Sequence, residues 1–158
     1  MNRILTSPEY VPFDNIIHSD YKTIFLAGSI EMGIAENWQE IAIQELLQNE
    51  NIIILNPRRK EWDSSWIQRM SNPQFNEQVL WELNGQDNCD KILMHFDKNT
   101  KSPITLLELG LYASSGKLVI SCPDDFYRKG NVEIVALRYG IPLFDNLEDS
   151  INYIKMTL

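Results

Sequence analysis

The stretch Thr23-Ile24-Phe25-Leu26-Ala27-Gly28 decides the fold. It is a short apolar run that stops at a glycine, which indicates a buried strand followed by a turn. Similar runs recur further along the chain, at 52–55, 91–96, 118–121 and 141–144. Because these runs are apolar without alternation, both faces of each strand are expected to be covered. We therefore predict a parallel sheet between two layers of helices.

Helical patterns lie between and after these runs. The predicted helices lie at about 38–46, 75–88, 103–115, 131–139 and from 147 onward. Five strands alternating with helices predict one α/β domain with a flavodoxin-like (Rossmann-like), doubly wound, five-stranded parallel sheet. We assign 23–158 to this domain and 1–22 to an irregular N-terminal arm, because the arm contains Pro8 and Pro12 and shows little periodicity.

The charge balance limits the classes of partner that the protein is expected to bind. The chain of 158 residues has 14 Lys+Arg against 22 Asp+Glu, a formal net charge of -8. Such a balance argues against nucleic acid or an anionic membrane as the main partner, but it allows a small ligand. No stretch approaches the roughly 18 apolar residues of a membrane span, and the first residues lack the apolar core of a signal peptide. We expect a cytoplasmic protein.

Familiar cofactor and metal signatures are absent from the sequence. Gly28 and Gly33 have the outer spacing of a phosphate loop, but Ile34 and Ala35 follow where Lys and Ser or Thr are required. The two histidines are isolated, which argues against a zinc site or a Ser-His-Asp triad. We therefore expect no metal and no organic cofactor.

One carboxylate is anomalous. Glu108 is the only charged residue between Pro103 and Ala113, in a helix predicted to be apolar all round and therefore buried. There are two interpretations. Glu108 lies at the helix surface or pairs with an arginine, or its carboxylate is held in a cleft where it takes part in a reaction. Glu82 lies in the helix before the 91–96 strand, so two carboxylates could face one pocket. Paired carboxylates serve bond cleavage at an anomeric carbon.

Several motifs, taken in their order along the chain, resemble those of a known family. They are Phe25-Leu26-Ala27-Gly28-Ser29-Ile30, Trp38-Gln39, Leu55-Asn56-Pro57-Arg58-Arg59 with Trp62-Asp63, Glu77-Gln78-Val79-Leu80-Trp81-Glu82-Leu83, Ser102-Pro103-Ile104-Thr105-Leu106-Leu107-Glu108-Leu109-Gly110 and Gly130-Asn131-Val132. In this order they resemble the nucleoside 2-deoxyribosyltransferase-like family, from about Thr23 to Pro142. The resemblance implies an enzyme that takes a nucleoside or nucleotide and a nucleobase as ligands.

The resemblance also implies residue roles. Glu108 stands where the family has its nucleophilic glutamate, which attacks C1′ and forms a covalent deoxyribosyl-enzyme. Glu82 stands at the position of an acidic residue, usually Asp, that assists proton transfer at the base. Asn131 matches an asparagine that holds the sugar end of the ligand, often from a neighbouring subunit, so we expect a homo-oligomer. The remaining predicted binding residues are Gly28, Ser29, Asn56, Arg58, Trp62 and Ser102, and Arg58 or Arg59 could help keep Glu108 ionised.

Position 102 bears on the substrate. Family transferases that use free nucleosides often have Asp there, whereas related nucleotide hydrolases use Ser near the 5′-phosphate. Ser29 and Ser102 could therefore bind a phosphate, or they could simply cap helices. The main prediction is transfer of 2-deoxyribose between nucleobases through a glutamyl intermediate. The alternatives are a deoxynucleoside 5′-monophosphate N-glycosidase and a non-catalytic nucleotide-binding module.

Overall fold

The computed structural model describes residues 3–30 and 35–158. In these ranges one sheet of six parallel strands is covered by helices on both faces. The strands are β1 (Ile4–Thr6), β2 (Lys22–Gly28), β3 (Ile52–Asn56), β4 (Lys91–His95), β5 (Leu118–Ser121) and β6 (Leu143–Phe144). The helices are α1 (Phe13–Ile16), α2 (Trp38–Leu46), α3 (Pro73–Asn88), α4 (Pro103–Tyr112), α5 (Lys129–Tyr139) and α6 (Leu147–Thr157).

The strand order confirms the predicted class and corrects the strand count. The order is β1-β3-β2-β4-β5-β6, and every pairing is parallel. Without β1 this is the flavodoxin-like order. The sheet has six strands rather than the predicted five, because β1 lies in the segment predicted to be irregular. A strand of three residues is too short to show a periodicity in the sequence. β1 forms because it pairs with the edge of β3.

Alternate residues of the central strands face two separate cores. Phe25 and Ala27 of β2 pack with residues of α4 and α5, and Trp81 of α3 packs against the same core. Ile24 and Leu26 face the other core, which includes residues of α2 and α6. The apolar runs do not alternate because both faces are covered, as predicted. None of the described helices is long and apolar enough to cross a bilayer.

The two central strands define the crevice where ligands bind in such sheets. β2 and β4 are neighbours, but the chain leaves β2 for α2 on one face and leaves β4 for α4 on the other. This is the switch point of a doubly wound sheet. Gly28 ends β2 with a φ of +155°, and a Cβ there would lie 2.3 Å from the His95 carbonyl oxygen. Only glycine fits at this position, where the loop after β2 leaves the sheet.

Candidate active site

Glu108 lies on the inner side of α4. It is 7% exposed and shares this side with Thr105, Leu109 and Tyr112. The expectation that α4 is buried all round is wrong, because a stripe of apolar side chains on its other side faces solvent. That stripe consists of Ile104, Leu107 and Leu111. The low exposure of Glu108 argues against the interpretation in which its carboxylate simply reaches solvent.

Three polar side chains spaced four residues apart on α3 organise the site. Gln78, Glu82 and Gln86 lie one above the other along the helix. The amide Nε2 of Gln78 donates to Glu82 Oε1 at 2.8 Å. The amide Nε2 of Gln86 donates to Glu108 Oε2 across the two helices. Sequence reasoning missed both glutamines, although their spacing around Glu82 was a usable signal.

A glycine lets α3 sit close to the sheet. A Cβ on Gly85 would lie 2.8 Å from the ring of Phe25 in β2. A larger residue would therefore push α3 away from β2. The close packing places Gln86, the next residue, where it is fully buried and reaches Glu108.

Burial dominates the electrostatics of the two carboxyls. Burial raises the pKa of Glu82 to about 7, opposed by the hydrogen bond from Gln78. Burial raises the pKa of Glu108 to about 8; the charge of Glu82 raises it further, and the Gln86 hydrogen bond opposes the shift. Because the charge of Glu82 contributes to the raised pKa of Glu108, the two carboxyls lie near enough to interact electrostatically.

The arginines considered as partners of Glu108 bind elsewhere. Arg58 Nη1 donates to Gln39 Oε1 at 3.1 Å and to Asn37 Oδ1 at 3.2 Å. Arg59 Nη1 donates to a surface glutamate of α3, Glu77, at 3.0 Å. Neither arginine contributes to the pKa shift of Glu108. In the part of the chain that the structure describes, the expectation that an arginine keeps Glu108 ionised is therefore wrong.

Three hydroxyls form a second cluster at the N-terminus of α4. Ser29 Oγ lies 3.0 Å from Thr100 Oγ1 and is also hydrogen-bonded to Ser102 Oγ, while Thr100 Oγ1 lies 2.6 Å from Ser102 Oγ. Ser29 Oγ also accepts the backbone N–H of Asp97 at 3.0 Å. All three hydroxyl residues are buried. Thr100 was not predicted, because its place in the cluster depends on how the loop after β4 folds back.

The Ser102 hydroxyl does not cap α4. Ser102 is the residue before α4, with a left-handed φ of 48°, but its side chain makes no capping hydrogen bond. The capping alternative is therefore wrong for Ser102, whose hydroxyl bonds to those of Ser29 and Thr100 instead. Ser29 follows β2, and its backbone carbonyl oxygen accepts Trp38 Nε1–H at 3.0 Å.

The other predicted binding residues lie around the carboxyl ends of the strands. Asn56 Oδ1 accepts the backbone N–H of Arg58 at 3.0 Å. Trp62 stacks edge-on against Trp66, with ring centroids 5.0 Å apart. Asn131 is exposed in the first turn of α5. Among the described hydrogen bonds, none joins these side chains to Glu82 or Glu108.

A cleft of about 430 Å³ opens at the carboxyl end of β4. Its wall includes His95, Asp97, Lys98 and Pro123, but neither Glu82 nor Glu108. In the rejected phosphate-loop match, Gly33 of the spacing and Ile34, which counted against it, belong to 31–34 and lie outside the described residues. The described residues contain no group of three or more side chains able to hold a metal ion.

The fold and the paired carboxyls define a class: an α/β domain with one buried and one half-buried acid, which interact electrostatically, beside the switch point of its sheet. The family model described as "Nucleoside 2-deoxyribosyltransferase like" matches residues 21–126. The chain belongs to this family. No curated protein matches the chain significantly.

A solved structure supports the architecture. The crystal structure of a conserved protein from Enterococcus faecalis V583 superimposes with a TM-score of 0.62 at 15% sequence identity. The match covers 87% of this chain and 99% of the other. At this identity the similarity establishes the fold alone.

Proposed function

We propose that this protein cleaves the N-glycosidic bond of 2′-deoxynucleosides and transfers the 2-deoxyribosyl group to another nucleobase. The observation that carries the proposal is the pair of a buried Glu108 and a half-buried Glu82 in a member of this family. A binding module gains nothing from two carboxyls whose ionised forms are destabilised by burial. An enzyme that forms a cation-like transition state does gain from them.

In the first step Glu108 is the nucleophile. One carboxylate oxygen attacks C1′, the C1′–N bond breaks, and the base leaves with the bonding electron pair. The anionic carboxylate stabilises the positive charge that develops on the sugar. The product is an ester between Glu108 and C1′, which has no net charge and therefore fits the buried position.

Glu82 handles the proton in this scheme. In its protonated form it gives a proton to the departing base, and the resulting carboxylate takes a proton from the incoming base in the second step. The second base attacks C1′ and releases Glu108 as a carboxylate. The longer Glu side chain, at a position where the family usually has Asp, is held by its hydrogen bond from Gln78.

The pair is suited to hold one proton near neutral pH. The pKa values of about 7 and about 8 belong to interacting groups, so the protons leave in two steps shared by both. Glu108 has the higher pKa, so the singly protonated pair holds its proton mostly on Glu108, and the form that the scheme uses is the less populated one, with the proton on Glu82 and Glu108 ionised. Activity is therefore expected to fall on both sides of this range.

A second candidate function is hydrolysis of deoxynucleoside 5′-monophosphates. The hydroxyl cluster of Ser29, Thr100 and Ser102 favours it, because it lies at the N-terminus of a ten-residue helix. Hydroxyl groups beside helix N–H groups are suitable donors to a phosphate. In this case water, rather than a base, would take the sugar from Glu108.

The proposal includes an oligomer that completes the site with Asn131. Exposed apolar residues on α4 and α5 support it, since both helices lie on the same face of the sheet. The exposed residues are Ile104, Leu107, Leu111, Ile134 and Leu137. Asn131 is exposed on the same helix as Ile134 and Leu137, so an interface there would present it to a second copy.

The test is chromatography of incubations with deoxynucleosides or their 5′-monophosphates, each with and without a different free base. A new deoxynucleoside that requires the added base supports transfer. Free base and deoxyribose phosphate from monophosphates alone support hydrolysis. If every substrate stays intact while a nucleotide binds tightly, both enzymatic proposals fail and the binding module is correct. Glu108→Gln is the inactive control, and the exposed Glu50→Gln is its matched active control.

A further inference from the structure

The N-terminal segment, residues 3–20, contacts β3 and α3 from outside the matched family region. β1 pairs with β3 so that Thr6 lies opposite Asn56, and the next residue, Ser7, donates its backbone N–H to the Asn56 carbonyl oxygen at 3.1 Å. On α3, Trp81 Nε1 donates to the Glu9 carbonyl oxygen at 2.8 Å. The family match begins at residue 21, so this attachment belongs to a part of the chain that the family model does not cover.

Ser7 makes a buried contact with the glutamine that holds Glu82. It is 3% exposed, and its hydroxyl donates to Gln78 Oε1 at 2.6 Å. The other end of the same amide donates to two acceptors, the Pro57 carbonyl oxygen and Glu82 Oε1, both at 2.8 Å. Every polar atom of the Gln78 side chain is thus used in one orientation.

From these contacts we infer that Ser7 is a positioning residue for Glu82, acting through the Gln78 amide. The inference rests on the proposed function, in which Glu82 transfers the proton. If the Ser7 hydroxyl is removed, Gln78 Oε1 is left buried without this donor. The amide then gains by turning or shifting towards another donor, and each such movement weakens its hydrogen bond to Glu82.

The inference predicts a change in proton affinity with a definite sign. The Gln78 hydrogen bond lowers the pKa of Glu82 against the effect of burial. Weakening it moves the pKa of Glu82 above about 7, so that the carboxyl keeps its proton to higher pH. The titratable group that faces Glu82 from α4 is Glu108, whereas the N-terminal segment reaches it through the neutral Ser7 and Gln78.

The experiment compares Ser7→Ala with Ser19→Ala. Ser19 is in the same N-terminal segment, but its hydroxyl bonds to the Ile16 carbonyl oxygen and does not touch Gln78. We expect Ser7→Ala to lower kcat/KM about tenfold and Ser19→Ala to leave it unchanged. In a Gln78→Met background, Ser7→Ala should cause little further loss, because its route to Glu82 is already broken.

A titration independent of activity decides the inference. The carboxyl carbon of Glu82 is followed by NMR through pH in the full-length protein, with Glu82→Gln to assign the signal. The expected result is a higher titration midpoint in Ser7→Ala and an unchanged midpoint in Ser19→Ala. An unchanged midpoint in folded Ser7→Ala overturns the inference, whatever the activity. If the wild type cleaves no glycosidic bond, the proposed function fails, but this titration still decides the role of Ser7.

Discussion

The carboxyl pair and the hydroxyl cluster meet at α4, where Glu108 lies within the helix and Ser102 directly precedes it, but they satisfy their polar groups in opposite ways. Ser29, Thr100 and Ser102 bond to one another, since each hydroxyl is both donor and acceptor. Glu82 and Glu108 are acceptors when ionised, repel each other, and receive one amide each from α3. The hydroxyl cluster is therefore a neutral structural frame with its hydrogen bonds satisfied, whereas the ionised form of the carboxyl pair is destabilised and is suited to react.

The largest expected effect comes from removing the carboxylate of Glu108, the proposed nucleophile. Glu108→Gln keeps the shape of the side chain but removes the oxygen nucleophile, so kcat/KM should fall by more than about a thousandfold. Assays with the best substrate found for the wild type measure this loss. A Glu108→Gln enzyme that retains a tenth of wild-type activity would contradict the role of Glu108, provided that Glu50→Gln behaves as wild type.

The two regions should respond oppositely in stability. Glu108 has a pKa of about 8 against an ordinary value of 4.5, so the folded state binds its proton more tightly and loses stability as pH rises between these values. Glu108→Gln should therefore raise the free energy of unfolding by roughly 5 kcal/mol at about pH 8.5, with little effect near pH 4.5. Urea unfolding of the folded wild type and variant at both pH values measures it. Equal stability of the two proteins at the higher pH would mean that Glu108 is not destabilised by burial.

Ser29→Ala supplies the contrast. It removes the hydroxyl that bonds Thr100 and Ser102 and leaves the buried N–H of Asp97 without this acceptor. We expect the free energy of unfolding to fall by about 1–3 kcal/mol at both pH values, since no group in the cluster changes charge. The same urea series measures this loss of unfolding free energy. A loss that depends on pH would contradict the claim that the hydroxyl cluster is uncharged.

The fold was largely predictable, and the site only in part. The apolar runs at β2 and β3 and the lone charge in α4 are local signals, so the class of fold and Glu108 follow from them. β1 was missed because its pairing with β3 is a tertiary property of three residues. The contact between Gln86 and Glu108 joins two helices, and Thr100 reaches Ser29 from another loop, so neither contact has a local signature.

The hydroxyl cluster also separates the two candidate reactions. If it binds a 5′-phosphate, Ser102→Ala should raise KM for a deoxynucleoside 5′-monophosphate about tenfold and leave KM for the free nucleoside nearly unchanged. Initial rates with the matched pair of substrates measure the ratio. Equal changes for both substrates would assign Ser102 to the frame alone and disfavour the monophosphate reaction.

The smallest expected signal comes from a mixing assay, which tests whether Glu108 of one copy and Asn131 of another form one site. Mixing inactive Glu108→Gln with Asn131→Ala should restore activity, because one mixed site then combines an intact Glu108 with an intact Asn131 from the other copy. For random mixing of dimers about a quarter of the wild-type activity is expected. Subunits are exchanged under mild denaturation before the assay. If the mixture is no more active than its components, the two residues do not meet across an interface.

The most direct test of the central claim is intact-mass spectrometry during turnover. A 2′-fluoro deoxynucleoside analogue is suitable, because the electron-withdrawing fluorine destabilises the cation-like transition state and slows breakdown of the intermediate. The account predicts a mass increase of one fluorodeoxyribosyl group, mapped to Glu108, that disappears when a second base is added. Glu108→Gln should show no increase. Release of free base in a single turnover without any adduct, or with an adduct on another residue, would contradict the account.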